Sequence, residues 1–214
     1  MDLSFNNYMG VMNSKLIQLF IEYNPSIRPF MVLIQYWASF YELCGAVDQA
    51  NQISNYALNM LMIFYLERQG ILPSLKSLQE NLKKEDSMII DNLQCGYPKN
   101  VLEWPQLNGN GKSMISLVDN FFKFYATYEY DCRKICCYSG NLTKKKYPNF
   151  SCLHVNDLFD RNRNLTSGYT RTSLKKWKKY CTETAIITVK FLIPKLQVEP
   201  NRGILEMFVI KPVT

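Results

Sequence analysis

The sequence predicts an α+β protein that is predominantly helical. Two segments, "LIQLFIEY" and "SMISLVDNFFKFYATYEY", place apolar residues three or four positions apart, which is the spacing of an amphipathic helix. A short alternating run, "DLSF", follows the first methionine, and the tail after residue 185 alternates or runs apolar like two short strands. We therefore expect a helical body that carries few and short strands.

Breaker and capping residues divide this helical body. The segment "NPSIRP" ends a first helix that spans about residues 11–23, and Pro29 opens a second that is apolar on nearly every side. This second helix is therefore expected to be the central one. Ser54 is a plausible N-cap for a third helix, and Gly70 is its expected C-terminal stop. A long connection over residues 86–112 and a lysine-rich helix near residues 171–185 follow.

The composition is that of a globular protein. Hydrophobic residues make up 47% of the 214 residues and charged residues 20%, which argues against disorder. The longest apolar runs are shorter than 18 residues and are interrupted by Gln35 and Asn59, so they predict buried helices rather than membrane spans.

Positive charge is concentrated in one part of the chain. The formal net charge is +7, with a sequence pI of about 9.0. Of the 25 basic residues, 12 lie between positions 133 and 179: Arg133, Lys134, Lys144, Lys145, Lys146, Arg161, Arg163, Arg171, Lys175, Lys176, Lys178 and Lys179. Only Asp157 and Asp160 oppose them there. This pattern indicates either a polyanion or anionic surface as partner, or solvated helix faces and loops.

The cysteines do not predict a metal site. There are seven, in no regular framework, and His154 is the only histidine. The spacing of zinc ligands is not met, so reduced thiols in an intracellular protein are expected. A cytoplasmic location is the expectation, with the nucleus and the mitochondrion left open.

Five motifs occur in order along residues 1–185: "MDLSFNNYMGVMNSKLI", "IRPFMVLIQYWA", "ISNYALNMLMIFYL" followed by "ILPSL", "SLVDNFFKFYA" and "VNDLFDRNRNL". Together they resemble the noncanonical poly(A)/poly(U) polymerases, the terminal RNA nucleotidyltransferases of the DNA polymerase β superfamily that carry a PAP-associated domain. The resemblance implies a C-terminal fragment of such an enzyme. Residues 1–10 would be a residual palm strand and 11–185 the helical central domain, with the PAP-associated segment at about 113–170. Residues 186–214 would be an extension without an assigned role.

The resemblance also implies a metal-dependent reaction. Asp2 matches the third of three palm carboxylates that hold Mg²⁺ or Mn²⁺, with UTP or ATP as substrate. Two metal ions bridge the triphosphate and the RNA 3′-hydroxyl in such a mechanism, and one carboxylate alone cannot hold them. The other two carboxylates have no candidate in the sequence. The chain by itself is therefore expected to be inactive.

The phosphate end of the nucleotide site is matched only in part. Asn13 and Ser14, placed at the start of the first helix, match a pair that contacts ribose hydroxyls and phosphates. The resemblance implies two phosphate-binding lysines in the second helix, but Gln35 and Ser39 stand there. Triphosphate binding is therefore expected to be weakened. Asn55 stands where a phosphate-contacting serine is usual.

The base end of the site falls on two motifs. The resemblance makes Tyr56 the ring that stacks on the incoming base, while a helix-core role for Tyr56 stays open. Asp157 and Asp160 would face the Watson–Crick edge of the base, with Asn164 behind them. Arg163 replaces a histidine of uridine-selective relatives, so the choice between UTP and ATP is left open.

Two functions follow from these residues. The first is an RNA 3′-terminal nucleotidyltransferase, either uridylyl- or adenylyltransferase, whose RNA backbone would follow Lys144, Lys145, Lys146, Lys175 and Lys176. The alternative is a catalytically inactive relative that acts as an RNA- or protein-binding module. The expected partners are an RNA 3′ end and a nucleoside triphosphate. Protein partners are left open, and no membrane is expected to be involved.

Overall fold

The computed structural model describes residues 8–45, 51–109, 111–146 and 151–188. Within these ranges the helices are α1 (Tyr8–Tyr23), α2 (Ile27–Phe40), α3 (Asn55–Arg68), α4 (Leu75–Gln79), α5 (Met114–Thr127) and α6 (Arg171–Ile187). The strands are β1 (Cys44–Gly45), β2 (Ile53–Ser54), β3 (Ile89–Ile90), β4 (Leu93–Gln94), β5 (Arg133–Lys134) and β6 (Thr143–Lys144). β1 pairs with β2 in parallel, and β3–β4 and β5–β6 are antiparallel pairs. The predicted α+β, predominantly helical fold class is confirmed.

Helix α3 lies at the centre of the core. Every residue from Ala57 to Leu66 is buried except Asn59. Its ends are those predicted from the sequence. The Ser54 hydroxyl accepts a hydrogen bond from the Ala57 N–H at 3.1 Å, and Gly70 follows the helix with a φ of +67°, a conformation that glycine adopts without strain.

The prediction that α2 is the central helix is wrong. Val32, Tyr36 and Phe40 form a stripe on α2 that is 51%, 44% and 43% exposed. Apolar residues around a helix indicate what it could bury, but the neighbouring helices decide what it does bury. In the described part of the chain, α2 is covered on the side that packs against α3, α5 and α6.

Buried tyrosines join α3 to α5. The Tyr65 hydroxyl of α3 donates to the Leu117 carbonyl of α5 at 2.9 Å, and the Tyr125 hydroxyl of α5 donates to the Leu61 carbonyl of α3 at 2.7 Å. Burial of such hydroxyls would be unfavourable without a partner. The reciprocal bonds therefore fix the register of the two helices.

Short backbone bridges join the segment between β6 and α6 to the chain that follows β5 and to itself. Ile135 pairs in parallel with Val155, and Asn156 pairs antiparallel with Asn164. Between β4 and α5, the Tyr97 hydroxyl donates to the Met12 carbonyl of α1 at 3.0 Å. The Tyr97 ring lies parallel to the Phe159 ring, with centroids 6.4 Å apart. These contacts bring the turn at 157–163 close to α1.

The N-terminal boundary predicted from the sequence needs a correction. Tyr8, Met9 and Gly10 belong to α1, so they are not part of a palm strand. The remaining residues of that predicted strand, Asp2 among them, lie outside the described residues, as do residues 189–214. The other predicted domain boundaries stay predictions. None of the helices in the described ranges combines the length and hydropathy that a membrane crossing requires.

Candidate functional site

A cavity of about 1000 Å³ opens between α1, the start of α3 and the turn at 157–163. Five residues that the sequence predicts as ligand contacts line it, namely Asn13, Ser14, Tyr56, Asp157 and Arg163. They come from three separate motifs of the sequence. The tertiary structure therefore gathers residues that are more than 100 positions apart onto one surface.

The sequence predicts that Asn13 and Ser14 lie at the start of a helix, but in the structure they do not. α1 begins at Tyr8 within the described residues, so both lie in its second turn, where backbone N–H groups are already used by the helix. The Ser14 hydroxyl donates to the Gly10 carbonyl at 3.0 Å. Asn13 is buried, and its Oδ1 atom has no hydrogen-bond partner. Its amide, rather than free backbone N–H groups, is the polar group that α1 offers to a ligand.

Tyr56 and Asp157 both line the cavity and lie close enough for the carboxylate to act on the phenol. Tyr56, in the first turn of α3, is half-buried and packs on the core, while its hydroxyl is buried without a hydrogen bond. Burial raises the pKa of Tyr56 far above its usual value, and the Asp157 carboxylate adds to the shift. The phenol therefore stays neutral and keeps a proton to donate. Tyr56 is at once a core residue and a cavity residue, so the two sequence interpretations of it are compatible.

Asp157 also organises the turn that carries it. The residue is 1% exposed, and its Oδ1 accepts the N–H groups of Phe159 at 3.0 Å and Asp160 at 3.2 Å. The Asp157 N–H donates to the Arg163 carbonyl at 3.0 Å, which closes the turn. Arg163 is exposed on the cavity wall. One carboxylate oxygen is thus committed to the turn.

Three other predicted contacts lie away from the cavity lining. The Asp160 carboxylate accepts the Asn162 N–H at 3.0 Å, and Asn164 Oδ1 accepts the Val155 and Thr166 N–H groups, both at 3.1 Å. Asn164 therefore supports the backbone of the segment. Asn55, the first residue of α3, is exposed. The roles that the resemblance implies for these three residues stay predictions.

The structure adds residues to the site that the sequence did not predict, and Asn59 is one of them. It lines the cavity one helical turn after Tyr56, and its Oδ1 accepts a hydrogen bond from Gln35 Nε2 at 2.8 Å. Gln35 and Asn59 are the two polar residues that interrupt the apolar runs of α2 and α3. The polar interruption of these apolar runs is the signal that the sequence offers for Asn59. Only the packing of α2 against α3 shows that Gln35 and Asn59 pair. Ser39, one turn after Gln35, is exposed and does not line the cavity.

Of the lysines predicted to bind RNA, Lys145 does not fit that role. It is 8% exposed, and its ammonium donates to the carbonyls of Ser151 and Cys152. Burial lowers its pKa below the usual value. Because these carbonyls hold the ammonium, it is a structural group of the loop. The prediction of Lys145 as an RNA contact is corrected accordingly.

The remaining basic residues form an outer face of α6. Arg171, Lys175, Lys178 and Lys179 are exposed along this helix, and Lys176 is half-buried. Lys144 and Lys146 are also exposed. Arg171 lies close enough to Lys145 to lower its pKa further, so the start of α6 adjoins the 144–146 segment. We call α6 residues 171–179 together with Lys144 and Lys146 the basic face.

The described residues do not build a metal site by themselves. No group of three or more histidine, cysteine, aspartate or glutamate side chains in these ranges could hold a metal ion. Asp2, the predicted metal ligand, lies outside them.

The described fold is similar to those of two solved structures. The structure superimposes on the crystal structure of mtPAP in its apo form with a TM-score of 0.85 and 20% sequence identity, over 97% of this chain and 44% of that one. It also matches a cytoplasmic RNA terminal U-transferase with a TM-score of 0.74 and 18% identity, over 98% of this chain and 65% of that one.

The sequence relatives agree with the fold, and they confirm the resemblance predicted from the five motifs: the homologues of this chain are poly(A) RNA polymerases. It is 25% identical to the mitochondrial poly(A) RNA polymerase of Mus musculus over 188 residues, which cover 87% of this chain and 32% of that protein. The chain thus spans about a third of the length of this curated relative. No family model matches the sequence.

Proposed function

We propose that this chain forms the nucleotide-binding part of an RNA 3′-terminal nucleotidyltransferase. The reaction transfers a uridylate or adenylate from UTP or ATP to an RNA 3′-hydroxyl, with Mg²⁺ or Mn²⁺ as the metal. The observation that carries the proposal is the convergence of Asn13, Tyr56 and Asp157 on one cavity. Supporting it, the homologues are poly(A) RNA polymerases, and crystal structures of the fold neighbour mtPAP hold ATPγS, UTP, CTP and GTP.

Each part of the cavity has a role in nucleotide binding. Tyr56 stacks on the base, and its neutral hydroxyl remains a donor. Asn13 supplies an amide to the ribose, and an unpartnered buried oxygen such as its Oδ1 gains most from a ligand hydroxyl. The Asp157 carboxylate accepts from the amino or imino edge of the base. Arg163, on the exposed wall, is placed for the phosphate or the base edge.

Replacing Tyr56 with alanine should weaken nucleotide binding by about 5- to 150-fold, because base stacking on an aromatic ring is worth roughly 1–3 kcal/mol. The measurement is isothermal titration calorimetry with UTP and ATP. Tyr36→Ala is the matched control, since Tyr36 is an exposed tyrosine of α2 outside the cavity lining. Equal affinities in the two variants would contradict a stacking role.

The RNA strand is proposed to run along the basic face. Four exposed basic side chains on one side of α6 attract phosphates without regard to sequence. Among the described residues of α6, the acidic side chain is Glu183, whose carboxylate lies 3.8 Å from the Lys179 ammonium. RNA binding should therefore be strongly salt-dependent.

Replacing both Lys175 and Lys176 with glutamine should reduce the slope of log affinity against log salt concentration by about 0.7 per lost phosphate contact. Fluorescence anisotropy with a labelled single-stranded RNA measures it. The control changes Lys76 and Lys84, which are exposed on other elements, to glutamine. An identical slope in both double variants would remove the basic face from the proposal.

Catalysis is tested by extension of a labelled RNA with Mg²⁺ and each triphosphate. Extension that Asp2→Ala abolishes would support both the reaction and the proposed metal ligand. Absence of extension with nucleotide and RNA binding intact would favour the binding-module alternative for this chain.

A further inference from the structure

A second cavity, of about 390 Å³, lies between α1 and residues 85–99. Lys15 and Gln18 of α1 line both this second cavity and the first cavity, the one that contains Tyr56 and Asp157. Lys15 and Gln18 are three positions apart on the helix, so they are neighbours on its surface and form an edge that the two cavities share. A ligand in the second cavity is therefore adjacent to a ligand in the first.

The outer wall of the second cavity is fixed by the protein itself. Gln94 Oε1 accepts the N–H groups of Met88 at 3.0 Å and of Gly96 at 2.8 Å. Gly96 approaches the Asp86 carbonyl so closely that an added Cβ would lie 2.1 Å from its oxygen. The Tyr97 hydroxyl ties this segment to α1. Because the wall is held in place before a ligand arrives, binding costs little ordering of the loop.

The size and the apolar lining of the second cavity suit a flat ring. Its volume lies near the lower end of the range for small-molecule sites, about 300–1,000 Å³, which favours an occupant of the size of one nucleoside. Met12, Leu19 and Met88 line it, and Met88 is 46% exposed. Methionine sulfur makes favourable contacts with aromatic rings, so these side chains can hold a nucleobase.

The polar lining distinguishes between bases. Glu85 and Asp86 line the cavity with carboxylates, and Lys15 and Lys99 with ammonium groups. The Lys99 ammonium lies 3.9 Å from Asp86 Oδ1, while Glu85 and Lys15 are exposed. Ionised carboxylates only accept hydrogen bonds. Adenine and cytosine present amino donors to such a group, whereas uracil presents a carbonyl oxygen at the corresponding edge. The carboxylates therefore favour adenine or cytosine.

We propose that the second cavity binds the 3′-terminal nucleoside of the RNA substrate and selects adenosine or cytidine over uridine. Glu85 accepts the amino group of the base, and Met88 contacts its ring. Lys15, on the shared edge, contacts the phosphate that lies between the occupants of the two cavities. The inference rests on the proposed nucleotide-binding function and adds to it a site for the acceptor strand.

The test is isothermal titration calorimetry of the full chain with UMP and with the dinucleotides ApU, CpU and UpU. The 3′ uridylate of each dinucleotide occupies the first cavity, and the 5′ nucleoside reaches the second. ApU and CpU should bind at least fivefold more tightly than UMP and UpU, because a hydrogen bond to a charged group is gained. A smaller ratio overturns the inference but leaves nucleotide binding in place. Absence of binding by all of these ligands and by UTP contradicts the proposed function itself.

Two variants test the named contacts. Glu85→Gln should bring the affinities for ApU and UpU within twofold of each other, because an amide can both donate and accept. Glu80→Gln, at an exposed position outside the cavity lining, should keep the native preference. Lys15→Gln should weaken ApU binding by about tenfold, and the exposed control Lys76→Gln should leave it unchanged.

Each variant result bears on the inference. A native preference for ApU over UpU in Glu85→Gln would remove this carboxylate from base recognition and overturn it. Undiminished ApU binding in Lys15→Gln would show that no phosphate lies at the shared edge, which overturns it as well. Circular dichroism of each variant establishes that the fold is retained.

Discussion

Replacing Trp177 with alanine should destabilise the protein by about 3–5 kcal/mol, the range for truncating a buried tryptophan. Trp177 is completely buried in α6, and its ring meets the Trp37 ring at 5.5 Å and the Tyr125 ring at 5.9 Å. Its indole N–H donates to the Tyr130 hydroxyl at 2.9 Å. The truncation removes these contacts and leaves a cavity between α2, α5 and α6.

Urea denaturation followed by circular dichroism measures this loss. Thr172→Ala, at an exposed position of the same helix, should change the unfolding free energy by less than about 0.5 kcal/mol. Because α6 carries the basic face, Trp177→Ala should also weaken RNA binding. A loss of stability below 1 kcal/mol would show that α6 is held by other contacts.

Replacing Glu67 with glutamine should change how stability depends on pH. Both carboxylate oxygens of Glu67, in the last turn of α3, are buried and have no hydrogen-bond partner in the structure. Burial raises the pKa of Glu67 well above its usual value of 4.5, and the neighbouring Cys136 adds to the shift. The folded protein therefore holds a proton on Glu67 that the unfolded chain releases.

The sign follows from proton linkage. Above about pH 4.5 the unfolded state binds fewer protons at this site than the folded state, so stability falls as the pH rises, by at most about 1.4 kcal/mol per pH unit. The fall ends once the pH passes the folded-state pKa of Glu67. Glu67→Gln removes this term, and its stability relative to the native sequence should rise with pH above about 4.5 until the folded-state pKa of Glu67 is passed.

Urea denaturation at pH 5, 6, 7 and 8 provides the measurement, and the difference between variant and native sequence isolates Glu67 from the other titrating groups. Glu80→Gln, at an exposed position, is the control and should show a constant difference across this range. Parallel pH profiles for Glu67→Gln and the native sequence would contradict the buried, protonated carboxyl.

Local signals in the sequence were sufficient for several elements. The Ser54 cap and the Gly70 stop bound α3 as predicted, because both depend on backbone groups within a few residues. Helical periodicity likewise predicted α1 and α5, and the five motifs predicted the homology. These features need no knowledge of what packs against the chain.

Other features could not be obtained in this way. Which helix is central, whether Lys145 is exposed, and that Gln35 pairs with Asn59 all depend on neighbours that are distant in sequence. Lys145 resembled its neighbours Lys144 and Lys146 in the sequence, and only the carbonyls of the 151–152 loop distinguish it. The predicted start of α1 is three residues late, because the first turn at Tyr8 precedes the periodic apolar positions that predict this helix.

The sequence by itself determined the helical class of this protein and the bounds of α3, because propensity and capping are local properties. The order of its five motifs carried the resemblance that identified five residues of the cavity. The tertiary structure alone decided that those five residues share one cavity and that Asn59 joins them. It also decided that Gln35 of α2 pairs with Asn59 of α3, since hydrogen bonds between helices form only when packing brings their side chains together.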